Sequence, residues 1–282
     1  MKPKALVLQA HGSNRDLDVI DALTLAGADA AGVPLNALRS HKTAWSDFQL
    51  LVLPGGFSYA DALGAGKLLA IDMASYFADE ITAFVDSGKP VIGICNGFQA
   101  LVKSAILPGS DVVARSRKAT KQSPVAEEIA SGYRPRNDIS ATLTFNAQGR
   151  FECRWVNIKP ISQTCVWTKD LNADITCPVA HGEGNFQTSE MFPLATFISN
   201  HQIALIYSRA DGSRARGEYP TNPNGSALDI AGICNPQGNV LGLMPHPENH
   251  IHAWQHPRHT RGEQSGSGLK LFENGVKHAM QV

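Results

Sequence analysis

The chain has 282 residues, 43% of them hydrophobic, and its 25 lysines and arginines are balanced by 25 aspartates and glutamates. A chain of that size buries a full core as one α/β domain, and zero net charge with no aromatic-interleaved basic run excludes an ordinary nucleic-acid surface. Five cysteines without a C-x-x-C pair argue against a disulfide framework or a zinc ribbon and fit a reducing cytoplasm; the short apolar run in MKPKALVLQAHGSN is no signal-peptide core, and no run of roughly eighteen apolar residues marks a membrane span.

In chain order, KALVLQ (4–9) reads as a first strand, DLDVIDALTLAG (16–27) as a helix closed by glycine, and DFQLLVLPGG (47–56) as a buried strand ending in a turn. That is the rhythm of a parallel sheet with crossover helices. SYFADEITAFVDSGK (75–89) puts Phe77, Ile81, Phe84 and Val85 on one helical face, with Ser75 as N-cap and Gly88 as stop. VIGI (91–94) follows as a strand. Residues 109–138 carry scattered charge and weak periodicity and read as an inserted surface loop with one short helix near 124–131. TLTFNAQGRFECRWV (142–156) suggests a hairpin about Gln148-Gly149, and short strands fit 174–181, 202–208, 229–235 and 240–245, the last two joined as a second hairpin by PQGN. LKLFENGVKHAM is the last helix.

Strand, then G-x-C-x-G, then the helical pattern NGFQALVKSAI is the layout of a nucleophile elbow: glycines allow a sharp turn and leave space about an exposed side chain, here Cys95. The start of the next helix would favour its thiolate. A lone cysteine there equally fits a small buried residue at a strand end. A nucleophile needs a base, and among ten histidines His246 stands out because PHPE (245–248) directly follows the apolar strand VLGLM, with Glu248 two residues on to orient the ring. HPE could also be a polar turn, but both segments end strands and would meet at one sheet edge. In LPGGFSYAD, the amides of Gly55 and Gly56 would serve a developing oxyanion together with that of Asn96; Gly-Gly also makes ordinary tight turns. The histidines of HPENHIHAWQHPRH lack carboxylate or cysteine ligands at clear metal spacing and read as a polar surface loop, with no metal expected. Cys153, Cys165, Cys177 and Cys234 read as structural thiols, and GEQSGSG (262–268) as a flexible stretch.

PGGFSYAD, GICNGFQ, GRFECRWV, PVAHGEGNF, NPNGS, DIAGICN and GNVLGLMPHPE together resemble, over most of the chain, the class I glutamine amidotransferases of purine biosynthesis, the glutaminase component of phosphoribosylformylglycinamidine synthase. The resemblance implies a flavodoxin-like α/β fold with a mostly parallel central sheet flanked by helices and added β-hairpins, in one domain over 1–282. It makes Cys95 the nucleophile, His246 and Glu248 the rest of the triad, and Gly55, Gly56, Phe57, Asn96, Gln99, His181 and Glu183 the oxyanion and substrate-binding set. The implied reaction is hydrolysis of glutamine through a cysteine thioester, with ammonia passed to a synthetase subunit, with or without a small third subunit. ATP and Mg are expected on that partner and no cofactor on this chain, which has no G-x-x-x-x-G-K-[ST] loop. The sequence departs from the family at Gln9-Ala10-His11, where a proline usually precedes Gly-Ser-Asn, and at Asn249, where an arginine commonly follows HPE. The rival readings are a flavodoxin-like cysteine hydrolase or glyoxalase, which tends to lack the late H-x-E, and a non-catalytic regulatory domain, against which the intact Cys, His and Glu set speaks.

Overall fold

The computed structural model describes residues 1–109, 141–189, 194–263 and 265–282. Among these, a nine-stranded sheet runs in the order β2-β1-β3-β4-β11-β10-β9-β6-β7. Its first half is parallel: β1 (Lys4–Gln9) lies between β2 (Asp29–Pro34) and β3 (Leu50–Leu53), and β4 (Val91–Ile94) lies between β3 and β11 (Val240–Leu243). β3, β4 and β11 are buried at every position, which is why they read as unbroken apolar runs rather than alternating ones. In the second half β10 (Ile230–Cys234), β9 (Ile203–Ser208), β6 (Glu152–Pro160) and β7 (Ile175–His181) pair antiparallel. β10 and β11 form the hairpin expected about PQGN.

The helices are α1 (Asp16–Leu25), α2 (Leu35–Arg39), α3 (Lys67–Tyr76), α4 (Ala78–Asp86), α5 (Asn96–Lys103), α6 (Leu194–Ser199) and α7 (Leu269–Ala279). The single helix expected over 75–89 is corrected to two. Ser75 lies in the last turn of α3, and Phe77, with φ −134° and ψ 16°, leaves the helical region between α3 and α4. Phe77 turns inward there, and its ring packs 5.5 Å from that of Trp45. Phe77, Ile81 and Phe84 are buried as the spacing predicts.

The hairpin expected over 142–156 does not form. β5 (Ala141–Thr144) pairs with β8 (Asn185–Thr188) in a separate two-stranded sheet, while β6 pairs with β7 and β9. Asn146, buried between β5 and β6, explains the separation: its side chain bonds the carbonyls of Arg150 and His181 and the amide of Gly184, so the segment folds onto the 181–184 loop instead of onto itself. The expected short helix near 124–131, and all of the 109–138 insertion except Gly109, lie outside the described residues. The HPENHIHAWQHPRH segment is not wholly a surface loop, because His250 is fully buried and bonded through Nδ1 to the Thr176 carbonyl. Cys165, Cys177 and Cys234 are buried and Cys153 is exposed.

Candidate active site

The parallel register brings three strand ends together. Leu53 stands opposite Gly93, and Leu243 opposite Ile94, so Gly55, Cys95 and His246, one to three residues past β3, β4 and β11, meet at one edge of the sheet. Cys95 has φ 50° and ψ −104°, a sparsely populated conformation for a side-chain-bearing residue. The turn is over-determined. The Cys95 amide donates to the Leu243 carbonyl at 2.8 Å, and the Cys95 carbonyl accepts the Gln99 amide at 3.0 Å as the first bond of α5. The flanking glycines are required by packing: a methyl at Gly97 would lie 2.0 Å from the Leu53 carbonyl oxygen, and one at Gly93 would lie 2.5 Å from Leu101. That close seating presses the start of α5 against β3 and β4.

His246 is buried and pinned by its own amide, which donates to the Pro178 carbonyl of β7 at 2.8 Å. Its Nδ1 donates to Glu248 Oε1 at 2.7 Å; a carboxylate only accepts, so Nε2 is the nitrogen left for the nucleophile. Nε2 has no nitrogen or oxygen partner among the described residues, and Cys95 Sγ lies 3.8 Å from the Ala180 carbonyl oxygen. Burial pulls the imidazole pKa down, but the charges of Glu248 and the Cys95 sulfur outweigh it and leave the value raised to about 10. These charges favour the protonated imidazole beside the sulfur.

Gly55 sits directly against this pair. A methyl there would lie 2.7 Å from His246 Cε1 and 3.5 Å from Cys95 Cβ. Gly55→Ala is expected to displace the imidazole and lower kcat by about 100-fold or more, since an error of about 1 Å in a catalytic group costs that much. Circular dichroism and kcat of the purified variant check this, and near wild-type turnover would contradict it. Gly56, at φ 135°, opposes Ser13 across an isolated bridge. The Phe57 amide is committed to the Gly12 carbonyl at 3.1 Å, and its side chain is about half exposed, so Phe57 supplies no free backbone donor to the site.

His181 closes the site from β7. Asn146 Oδ1 accepts the Gly184 amide at 3.0 Å, so the His181 Nδ1 that lies 3.1 Å from the same oxygen is a donor and Nε2 carries a lone pair. Nε2 is buried without a partner. Burial, reinforced by the His246 charge, lowers the His181 pKa to about 3. A histidine whose folded pKa is depressed contributes stability that is complete above its ordinary value of 6.5 and is lost as pH falls towards 3. Taking the protein from pH 7 to pH 4.5 is expected to cost it on the order of 2 kcal/mol more than it costs His181→Asn. Denaturant midpoints at the two pH values test this; equal losses would contradict it.

The remaining expected residues fall into a polar network. Gln99 is 3% exposed, with Nε2 bonded to the Glu183 carbonyl at 2.5 Å and Oε1 accepting Asn96 Nδ2 at 3.1 Å. Asn96 Oδ1 accepts the Ser58 amide at 3.2 Å and the Ser58 hydroxyl, and Asn96 Nδ2 also donates to Asp61 Oδ1 at 2.9 Å. The Glu183 carboxylate pairs with Lys103 Nζ at 3.8 Å. Ser58, Asp61, Lys103 and Asn146 are members that sequence reasoning missed. The readable signal was on α5, where Asn96, Gln99 and Lys103 recur at spacings of three and four and mark one polar stripe on an otherwise apolar helix.

A family model for the CobB/CobQ-like glutamine amidotransferase domain matches residues 2–279. The chain is 50% identical to phosphoribosylformylglycinamidine synthase subunit PurQ of Treponema denticola, over 99% of this chain and 100% of that one. It is 39% identical to the PurQ subunit of Dehalococcoides mccartyi, over 100% of this chain and 99% of that one. Among solved structures, a chain of PurLQS from Thermotoga maritima aligns with a TM-score of 0.69 at 28% identity, covering 98% of this chain and 99% of that one. A glutamine amidotransferase from the same organism aligns with a TM-score of 0.53 at 13% identity over the whole of both chains, a likeness of fold.

Proposed function

The chain belongs to the CobB/CobQ-like glutamine amidotransferase family, and from that premise we propose that it is the glutaminase subunit of a phosphoribosylformylglycinamidine synthase, supplying ammonia to a PurL-type synthetase in purine biosynthesis. The family match, the PurQ relatives and the likeness to a PurLQS chain support this reading. The observation that carries the chemistry is the convergence of Cys95, the His246–Glu248 pair and Gly55 at the ends of three parallel strands. One glutamine amidotransferase domain over 1–282 performs the reaction, with the 109–138 segment as an insertion.

In this mechanism the Cys95 thiolate attacks the side-chain carbonyl carbon of glutamine, forming a C–S bond and an oxyanion. The amides of Asn96 and Gly56 stabilise that oxyanion. As the tetrahedral species collapses, His246 passes its Nε2 proton to the departing nitrogen, so ammonia leaves and a thioester remains. The neutral imidazole then takes a proton from water as the water oxygen attacks, the C–S bond breaks, and glutamate, thiolate and imidazolium are restored. Glu248 holds the ring and its charge throughout. This chain needs no cofactor for these steps; ATP and Mg act on the synthetase, which consumes the ammonia. No helix among the described residues is long and apolar enough to cross a membrane, and a cytoplasmic site of action accords with the pathway.

Hydrolysis uncoupled from synthesis would waste glutamine, so the isolated chain is expected to be a poor glutaminase. Docking of the synthetase with its nucleotide ligands should raise the rate by about tenfold or more, up to the roughly 100- to 1,000-fold effect of supplying a full oxyanion donor. Glutamate release is to be measured for the chain alone, with the synthetase, and with the synthetase plus ATP and acceptor substrate. Three coincident rates would favour a free-standing hydrolase.

A further inference from the structure

A cavity of about 370 Å³ opens at the carboxyl ends of β1 and β2, on the far side of β3 from Cys95. Cys95, His246, Glu248 and Gly55 take no part in its lining. Its place follows from the strand order. In β2-β1-β3-β4 the chain leaves β1 for β2 on one side and passes back across β1 to β3 on the other, so the loops beyond β1 and β3 part and leave a crevice. Such switch points are where open α/β sheets bind ligands. The groups that meet around Cys95 come from β3, β4 and β11, and leave this crevice unused. Its walls are braced by backbone bonds: the Tyr59 amide donates to the His11 carbonyl at 2.6 Å and the Phe57 amide to the Gly12 carbonyl at 3.1 Å.

The lining divides into a charged rim and an aromatic interior. At the rim the Arg39 guanidinium lies over the Tyr76 ring, 3.8 Å from its centroid, and no carboxylate pairs with it among the described residues. Stacking holds the planar group in place and leaves its N–H edges for an anion. Further in, the rings of His11 and Tyr59 meet edge to face at 6.3 Å. The Tyr59 hydroxyl donates to Asp72 Oδ2, and burial together with the Asp72 charge raises its pKa to about 12, so it keeps that proton. Asp72 Oδ1 has no donor among the described residues and is available to a hydroxyl. Gln9 Nε2 donates to the Asp16 carboxylate, which can only accept, so Gln9 Oε1 is the atom left as an acceptor; the Asn36 side chain is exposed beside it.

We propose that this crevice is a second binding site, for a nucleoside monophosphate, with the phosphate on Arg39, the base among the aromatic rings and the amides of Gln9 and Asn36, and a sugar hydroxyl on Asp72. The volume falls in the range of about 300 to 1,000 Å³ that suits small organic ligands, and an inorganic anion would leave most of it empty. A dicarboxylate would want two fixed cations, whereas the lining holds one arginine and no lysine. A cationic ligand would face Arg39. A planar body with one anionic group uses every part of the lining: stacking on aromatic faces, amide contacts to a base edge, and a carboxylate on the ribose. The assignment does not depend on the reaction at Cys95.

The test is calorimetric titration of the full chain with AMP, adenosine and inorganic phosphate, in the presence and absence of excess glutamine. One equivalent of AMP is expected to bind with a Kd below about 1 mM, with adenosine and phosphate each at least about tenfold weaker because each engages only half of the site. Glutamine should not displace AMP. Arg39→Gln should weaken AMP by about tenfold or more and leave adenosine within about twofold, whereas Tyr76→Ala should weaken both by about tenfold. Both side chains stand at the surface, so the fold does not depend on them. No binding of AMP at about ten times that concentration would overturn the proposal. So would phosphate binding as tightly as AMP, AMP binding that neither substitution weakens, or displacement of AMP by glutamine, which would put the nucleotide in the cleft at Cys95.

Discussion

Cys95→Ala or Cys95→Ser is expected to abolish glutamine-dependent synthesis while the assembled enzyme still makes product from added ammonium. In the proposed mechanism Cys95 acts only in the glutaminase half-reaction, so external ammonia would bypass it. The expected loss with glutamine is at least about 1,000-fold, because without sulfur there is no thioester route and serine lacks a comparably acidic nucleophile. Both side chains are smaller than or close in size to cysteine and the elbow is set by backbone bonds to Leu243 and Gln99, so assembly should survive. Equal loss of both activities in a folded, assembled variant would place Cys95 outside the role given to it.

His246→Ala is expected to lower the glutaminase kcat by about 1,000-fold, the middle of the range for removal of a general acid and base. Glu248→Gln should be milder, because an amide can still accept the Nδ1 proton while its charge is gone. The two changes have different pH signatures. The Glu248 carboxylate is a main cause of the raised pKa of about 10 at His246, so Glu248→Gln should move the imidazole titration towards acid and narrow the pH range in which the sulfur faces a cation. The stability linked to His246 has the matching sign: it is complete below the ordinary value of 6.5 and is lost as pH rises through about 10. Single-turnover thioester formation as a function of pH reads both effects. Wild-type thioester formation in His246→Ala would show that His246 is not the proton carrier.

The elbow and the meeting of Cys95 with His246 and Glu248 were legible because each rests on a local pattern tied to a strand end. G-x-C-x-G announces a turn whose glycines are demanded by contacts with Leu53 and Leu101, and a buried strand followed by H-x-E places an imidazole and its orienting carboxylate two residues apart. Long-range pairing was not legible. TLTFNAQGRFECRWV alternates as a hairpin should, yet its halves pair with 185–188 and with 175–181 and 203–208, segments selected by burial and by the bonds of Asn146. β2 was missed because DAAGVP is an edge strand of small residues with only Val33 buried, which leaves no apolar run to read. The break at Phe77 carries no proline or glycine; it follows from the packing of that ring on Trp45. Gln99 shows the limit of a motif: GICNGFQ names the residue, but only the fold shows its amide bonded to Glu183 and Asn96.

The covalent bond expected between Cys95 and the side-chain carbonyl carbon of glutamine forms under the control of His246. It is tested most directly by treating the protein, alone and in complex with the synthetase, with a glutamine analogue bearing an electrophile at the γ position, followed by peptide mass spectrometry. The predicted result is one adduct on the peptide containing Cys95, blocked by excess glutamine, formed faster in the complex and strongly slowed in His246→Ala. Modification of other cysteines with Cys95 left free, or labelling of Cys95 that glutamine does not prevent, would contradict the account.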